Sequence, residues 1–195
     1  MSEPTSPVFI IEHAEPELYE WNVIECEQMG IYLPKEQLLF TNMPSCPAQL
    51  KDVGICDAKS FTQLNLDSKK ICILDPTATE ILSQVDAKQF DYFIFGGILG
   101  DKEFDGRTGR LVTNKIPGAA IRNLGPKHLA TDTAVLVAKL LLSGKKYEDI
   151  RLATEVEIEI NENESVTLPF AYVILDDKAM ISEKLVEHLR EREEF

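Results

Sequence analysis

An apolar run that ends in three closely spaced glycines is the feature of this chain that most limits its fold. The segment FDYFIFGGILGD, residues 90–101, passes from hydrophobic residues into Gly96, Gly97 and Gly100. A continuous apolar run is typical of a strand covered on both faces, as in a parallel sheet. Glycine has no Cβ and tolerates positive φ, so the following turn lets the backbone approach a ligand closely. In isolation, the same pattern is also typical of an ordinary connection between a strand and a helix.

Two further apolar runs end in turns of similar character. LDPTATE, residues 74–80, follows a short hydrophobic run, and RNLGPKHLATDTA, residues 122–134, leads from a predicted strand into a helix. Ligands of open α/β sheets bind beyond the carboxyl ends of the strands, so three such turns together predict one small-molecule crevice. The glycines lack G-x-G-x-x-G spacing, and no Gly-Lys-Ser/Thr triplet follows them. The pattern therefore disfavours a Rossmann dinucleotide site and a kinase-type phosphate loop.

The charge balance indicates which partners suit this chain. Its 195 residues include 33 acidic and 20 basic side chains, for a net charge of −13. The first 34 residues contain several Glu but neither Lys nor Arg, whereas residues 101–127 are rich in both. Because RNA binding depends on Lys and Arg that neutralise phosphates, this balance favours a basic protein as partner over RNA. The alternative is an acidic surface that serves only solubility.

No segment predicts export or insertion into a membrane. Residues 1–7 lack the basic and apolar regions of a secretory signal and are predicted to form a flexible leader. The longest apolar helix, predicted within residues 133–142, is too short to span a bilayer. The four cysteines have no C-x-x-C spacing, so they predict free thiols in a cytoplasmic protein and no metal site.

Hydrophobic periodicity predicts the elements of a single α/β domain. Strands are expected at 8–13, 37–43, 70–74, 92–95 and 119–124, and a hairpin at 155–160 with 166–175. A first helix is expected at 18–29, and a second, buried helix is expected to be capped by Thr131 or Asp132 and to end before Gly144. The tail, residues 181–195, is expected to form an amphipathic helix with an exposed His188.

Several of these segments together resemble a known family. IIEHAE, EW, LDPTAT, FDYFIFGGILGD, RT, LG...TDTA and LPFAYVILD follow the family's order between residues 8 and 176. They resemble the SPOUT-class methyltransferases, and among these the fungal SPOUT protein arginine methyltransferases that modify a small-subunit ribosomal protein. The resemblance implies an α/β fold with a mostly parallel sheet and a deep C-terminal trefoil knot over residues 8–176. An added β-hairpin and a C-terminal helical tail, residues 177–195, complete the expected domain organisation.

The resemblance also implies that S-adenosylmethionine is the cofactor, held by three loops of the knot. The chain departs from the family pattern at residues 102–105 and at Ala171, and both departures concern the methyl acceptor more than the donor. The cofactor-binding residues that the resemblance implies are Leu74, Asp75, Pro76, Gly96, Gly97, Ile98, Leu99, Gly100, Asp101, Leu124, Gly125, His128, Leu129, Thr131 and Thr133.

Methyl transfer to an arginine would require carboxylates near the acceptor. A guanidinium needs groups that orient its planar fork and receive the proton as the new bond forms. The candidate catalytic residues are Glu12, Glu20 and Asp101. Glu12 lies at the carboxyl end of the first strand and Glu20 on the next helix, whereas Asp101 could instead hold the methionine moiety or cap a helix.

Four further residues are candidates for contact with the substrate. Trp21 suits stacking on a guanidinium, and the alternative is a place in the core. His13 follows Glu12 at a strand end, where a histidine is more often a hydrogen-bonded structural residue. Arg107 and Thr108 match a pair of the family, and Arg107 could bind the carboxylate of S-adenosylmethionine or an RNA phosphate. RNA is the alternative acceptor and a non-catalytic binding module the alternative class, and the sequence leaves the oligomeric state open.

Overall fold

The structure, a computed structural model, describes residues 6–97, 106–162 and 164–191. Its central sheet has six parallel strands in the order β3-β2-β1-β5-β4-β6. These strands are β1 (Val8–His13), β2 (Leu38–Thr41), β3 (Ile55–Cys56), β4 (Ile71–Leu74), β5 (Tyr92–Gly97) and β6 (Ala120–Arg122). The predicted mostly parallel α/β sheet is therefore confirmed.

Helices and smaller sheets surround this centre. The helices are α1 (Glu20–Tyr32), α2 (Asp86–Gln89), α3 (Arg107–Leu111), α4 (Thr131–Leu142) and α5 (Glu183–Glu191). The remaining strands are β7 (Leu152–Ala153), β8 (Val156–Asn161), β9 (Glu164–Leu168), β10 (Tyr172–Leu175) and β11 (Lys178–Ala179). Within the described residues, no helix combines the length and the apolar character that a bilayer crossing requires.

The two faces of the central sheet have different covers. Phe9 and Ile11 of β1 pack in the larger core, to which α1 and α4 contribute, whereas Ile10 packs with Phe61 and Val112 on the opposite face. Successive residues of a strand point to opposite faces, so a strand covered on both sides is hydrophobic throughout. This burial explains the continuous apolar runs of the sequence.

The residues that follow β6 are hydrogen-bonded into the loop that follows β4. The Asp75 amide donates to the Arg122 carbonyl at 2.9 Å, and the Leu82 amide donates to the Asn123 carbonyl at 2.9 Å. The Asn123 amide in turn donates to Glu80 at 2.8 Å. These bonds fix the two loops against each other. Residues 98–105, through which the expected knot would also pass, lie outside the described residues.

The hairpin prediction is correct in its first part and wrong in its second. β8 and β9 pair antiparallel, but β10 belongs to a separate sheet with β7 and β11. Pro169 has no N–H to continue the ladder, and beyond it the Ala171 amide donates to the His128 carbonyl at 2.7 Å. The predicted return strand 166–175 is therefore two strands, and the second lies beside the loop that precedes α4.

The tail helix has the predicted amphipathic character. Leu185 and Leu189 of α5 are buried against α1 and the hairpin. His188 was expected to be exposed, but its side chain is only 13% exposed, and its Nδ1 lies 3.4 Å from a Glu20 carboxylate oxygen on α1. The prediction for His188 is therefore wrong.

Local details also differ from the sequence-based expectations. Cys46 and Cys56 form a disulfide with a Cα–Cα distance of 5.7 Å, so only the buried Cys26 and Cys72 are free thiols in the structure. The loop between β2 and β3 brings Cys46 and Cys56 together, and sequence spacing alone does not reveal this pairing.

The helix boundaries also differ from the prediction. The N-cap of α4 is Ala130 and not the predicted Thr131 or Asp132. α1 extends three residues beyond its predicted end, to Tyr32.

Gly125 offers a stability test of the loop before α4. Its φ is +96°, and a Cβ built there would lie 2.1 Å from a ring carbon of Tyr147. Gly125→Ala should lower the free energy of unfolding by about 2–4 kcal/mol, since backbone strain and overpacking add. Gly118→Ala is the matched control, because its φ is +89° and no atom lies within 4 Å of its Cβ position. Equal losses for both variants in urea unfolding would contradict the ring contact.

Candidate active site

The strands that lead into the three predicted loops end at one edge of the sheet. β5, β4 and β6 are neighbours and parallel, so their carboxyl ends lie side by side. Asp75, directly after β4, is buried, and its carboxylate accepts hydrogen bonds from the Thr77 amide at 2.9 Å and from the Thr113 hydroxyl. Asp75 therefore joins the first loop to the segment after α3.

The structure gives two of the predicted glycines a packing role. A Cβ on Gly97 would lie 3.0 Å from the Glu12 carbonyl and 3.2 Å from a methyl group of Ile11. Gly125 lies against Tyr147 in the same way. A larger residue at either position would disturb the fold itself, so substitution of these glycines is not a clean test of ligand binding. This corrects the expectation that their close approach is to the ligand alone.

The remaining predicted cofactor-binding residues have varied environments. Leu74 is buried at the end of β4, and Pro76 is exposed in the loop after it. The ring of His128 contacts Phe170 edge to face at 5.1 Å, and burial lowers the pKa of His128. Leu124 and Leu129 pack against the main core, and Gly96 pairs with Glu12 across β5 and β1. Thr131 and Thr133 lie in the first turn of α4. The other predicted cofactor-binding residues lie outside the described residues: Ile98, Leu99, Gly100 and Asp101.

A small pocket lies next to this edge, between the sheet, α1 and the start of α4. Its walls include His13 and Gly97 from the strand ends, Asn22 and Glu25 from α1, and Thr131 from α4. Burial lowers the pKa of His13, and the nearby Glu15 and Glu12 oppose that effect. The pocket thus places two predicted cofactor-binding residues, Gly97 and Thr131, and one predicted substrate-binding residue, His13, around Glu25. The carboxylate of Glu25 was not among the predicted site residues.

Glu25, which lines this pocket, forms a buried acidic pair with Asp132 of α4. They are 6% and 3% exposed. Trp21 Nε1 donates to Glu25 Oε1 at 3.1 Å, and the Thr133 amide donates to Asp132 Oδ1 at 2.6 Å. Burial, followed by the charge of Asp132, raises the pKa of Glu25 to about 8. Burial also raises the pKa of Asp132 to about 7, against the hydrogen bonds from Thr133. Such a pair favours a cationic ligand, which would stabilise both ionised forms.

Glu12 and Glu20, the predicted catalytic residues within the described part of the chain, point elsewhere. The Glu12 carboxylate accepts hydrogen bonds from the Thr41 hydroxyl at 2.5 Å and the Phe61 amide at 3.1 Å, on the opposite face of the sheet from His13. Glu20 is 73% exposed beside His188. The structure brings neither to the pocket wall, and their catalytic roles stay predictions.

The predicted substrate-binding residues also have partners within the protein. Trp21 packs partly buried against the cluster beneath α5, while its indole N–H reaches Glu25. Arg107 Nη2 lies 2.8 Å from Glu15 Oε1, an ion pair that joins α3 to the segment after β1. Thr108 is in the first turn of α3, and its carbonyl accepts from the Val112 amide at 2.9 Å.

Glu25 and Asp132 were missed because their burial depends on elements far apart in the sequence. The available signal was spacing: Glu25 lies four residues after Trp21, on the same side of a predicted helix, and Asp132 lies within TDTA. Among the described residues, no group of three or more His, Cys, Asp or Glu side chains is arranged to hold a metal ion.

Known proteins share both this fold and much of this sequence. Residues 8–194 match the family model described as protein arginine N-methyltransferase SFM1-like. Protein arginine N-methyltransferase SFM1 of Saccharomyces cerevisiae is 34% identical over 200 residues, which cover 93% of each chain. The crystal structure of the yeast enzyme complexed with SAM aligns with a TM-score of 0.86 and 31% identity, over 97% of this chain and 92% of that one.

A more distant structure shows the fold alone. Trm10 from Thermococcus kodakaraensis, a SPOUT protein, aligns with a TM-score of 0.53 and 18% identity over 73% of this chain and 96% of its own. The fold is thus that of the SPOUT methyltransferases, as the sequence resemblance implied. Within that class, the chain belongs to the SFM1-like protein arginine N-methyltransferase family.

The buried acidic pair predicts how stability depends on pH. The ordinary pKa values of Glu25 and Asp132 are 4.5 and 3.8, and the folded protein holds their protons up to about 8 and about 7. The folded state therefore binds more protons than the unfolded state in this window, so the free energy of unfolding should fall as pH rises through it. Glu25→Gln removes one titrating group and should make this fall smaller between about pH 5 and about pH 8.

Urea unfolding at the two pH values measures the effect. Glu27→Gln is the control, because Glu27 is on the same helix but pairs with Lys184 outside the pocket. Its pH dependence should match that of the wild type. A Glu25→Gln variant that loses as much stability as the wild type over this range would contradict the buried acidic pair.

Proposed function

We propose that this protein transfers a methyl group from S-adenosylmethionine to an arginine side chain of a small-subunit ribosomal protein. Membership of the SFM1-like family across residues 8–194 is the observation that carries the proposal. The related yeast arginine methyltransferase has been crystallised with SAM, SAH and MTA, which are the methyl donor, its product and a fragment of it. The choice of a ribosomal protein is the finer part of the proposal and rests on charge.

The loops after β4 and β6 fit this cofactor. Leu74, Leu124 and Leu129 provide apolar side chains there, next to loop backbone. Arg122, at the same edge, is engaged by Asp86 and Glu80 at 3.1 Å each. Apolar side chains and backbone groups suit an adenosine, which carries no phosphate. When bound, S-adenosylmethionine supplies a methyl group on a positively charged sulfur, and the task of the protein is to align the acceptor with it.

The electrostatics of the protein support a protein acceptor over RNA. The net charge of −13 would repel a phosphate backbone and attract a basic ribosomal protein. The hairpin of β8 and β9 adds exposed carboxylates, among them Glu157, Glu159 and Glu164. At the pocket itself, Glu25 is a buried carboxyl group beside Asp132, and a cationic group would favour its ionised form. Surface and pocket therefore agree on the charge of the substrate.

Methyl transfer from labelled S-adenosylmethionine tests the proposed function. Incubation with separated small-subunit ribosomal proteins and with rRNA should label one basic protein, and an Arg→Lys substitution at its modified position should abolish the label. Ribonuclease should leave the label unchanged, and a chelator should not reduce it. Label that ribonuclease removes and the Arg→Lys substitution spares would show that RNA is the acceptor instead.

A further inference from the structure

The four cysteines of this chain, all in its described part, differ in accessibility. Cys26 and Cys72 are buried free thiols, and burial raises the pKa of both, that of Cys72 to about 12. Cys46 and Cys56 form a disulfide and are only half-buried. Because the thiolate is the reactive form of cysteine, redox chemistry is expected at the Cys46–Cys56 pair and not at the buried thiols.

The disulfide closes the base of the loop between β2 and β3. Its Cα–Cα distance is 5.7 Å, and Cys56 pairs with Phe40 in the parallel ladder of the two strands. The next residue, Asp57, donates its amide to the Phe40 carbonyl at 2.8 Å, and its carbonyl accepts from the Met43 amide at 3.1 Å. One covalent bond and two hydrogen bonds thus hold the start of this loop against β3 and the residue after it.

The start of the same loop reaches the small pocket beside the sheet. Met43 is buried and lines the pocket together with Gly97. The neighbouring Asn42 donates its side-chain amide to the His13 carbonyl at 2.7 Å, so it holds the end of β1. The φ of Asn42 is +56°, a left-handed conformation that the surrounding structure has to support. A movement of the loop would therefore displace one wall of the pocket and the strand end beside it.

The position of the disulfide lets a reductant reach it. Exposed residues flank Cys46 in the loop, among them Ser45 and Gln49. Disulfides that are exposed exchange with thiols more readily than buried ones and are typical of regulation. Leu50 and Gly54, in the second half of the loop, are buried and stay anchored in the core when the disulfide opens. Reduction would therefore free residues 42–49, which include the two that contact the site.

We propose that the Cys46–Cys56 pair is a redox switch of methyl transfer: the disulfide form holds Asn42 and Met43 at the pocket, and the dithiol form releases them. Reduction breaks the S–S bond and forms two S–H bonds. A dithiol reductant supplies the two electrons and two protons and itself becomes a disulfide, so atoms and electrons balance. The switch acts from β2 and β3, which lie across β1 from the strands that lead into the cofactor loops.

Methylation assays on the oxidised and the reduced protein test this proposal. Treatment with dithiothreitol should lower kcat/KM for small-subunit ribosomal proteins about fivefold or more, because the displaced loop no longer fixes the geometry of the pocket. Reoxidation should restore the rate. Calorimetric affinity for S-adenosylmethionine should change less than about twofold, and this binding shows that the reduced protein is folded.

Alkylation and NMR spectroscopy follow the cysteine pair and the loop directly. Alkylation of the unfolded protein should add two labels per chain before reduction and four after it. The methyl NMR signal of Met43 should shift on reduction, because this side chain leaves its place in the pocket wall. The methyl signal of Met180, next to β11, should stay unchanged. A Met43→Leu variant identifies the signal of Met43.

Matched variants separate the switch from general effects of the reductant. The double variant Cys46→Ser, Cys56→Ser should have the rate of the reduced protein and no response to dithiothreitol. Cys72→Ala removes a buried free thiol and should keep the full response. The proposal is overturned if the oxidised protein takes up four labels, if reduction leaves kcat/KM or the Met43 signal unchanged, or if the affinity for S-adenosylmethionine falls as much as kcat/KM.

Discussion

The hydrogen bonds between residues 122–123 and the loop 75–82 are the constraint on which the rest of the site depends. They hold the ends of β4 and β6 together, so the loop that leads into α4 starts from a fixed position. The ion pairs of Arg122 with Asp86 and Glu80 reinforce the same contact. The start of α4, with Thr131 and Asp132, is thereby placed against α1. A loop free of these bonds would not hold a carboxylate at a fixed distance from its partner.

The acidic pair then links structure to chemistry. Glu25 and Asp132 are buried at a cost, because desolvation and mutual repulsion both disfavour their ionised forms. The pair therefore holds protons that exposed carboxylates would have lost at the same pH, and the pH dependence of folding reports on this part of the structure.

The sequence predicted the sheet better than the site, for physical reasons. Continuous apolar runs such as 92–95 report burial on both faces, which is a local property, and the three turns follow directly from them. The face of the sheet on which a carboxylate lies depends on the alternation of side chains along the strand and on packing. Glu12 and His13 are neighbours in the sequence, yet their side chains lie on opposite faces of the sheet. Glu25 becomes buried only when α4 packs against α1, and the sequence gives no local signal of contacts across more than a hundred residues.

A crystal structure with S-adenosylhomocysteine and an arginine peptide tests the central claim most directly. The account predicts that the cofactor lies at the carboxyl ends of β4, β5 and β6, beside Leu74, Leu124 and Leu129, and that one guanidinium nitrogen is directed at its sulfur. A cofactor bound away from these strand ends, or a guanidinium directed away from its sulfur, would contradict it.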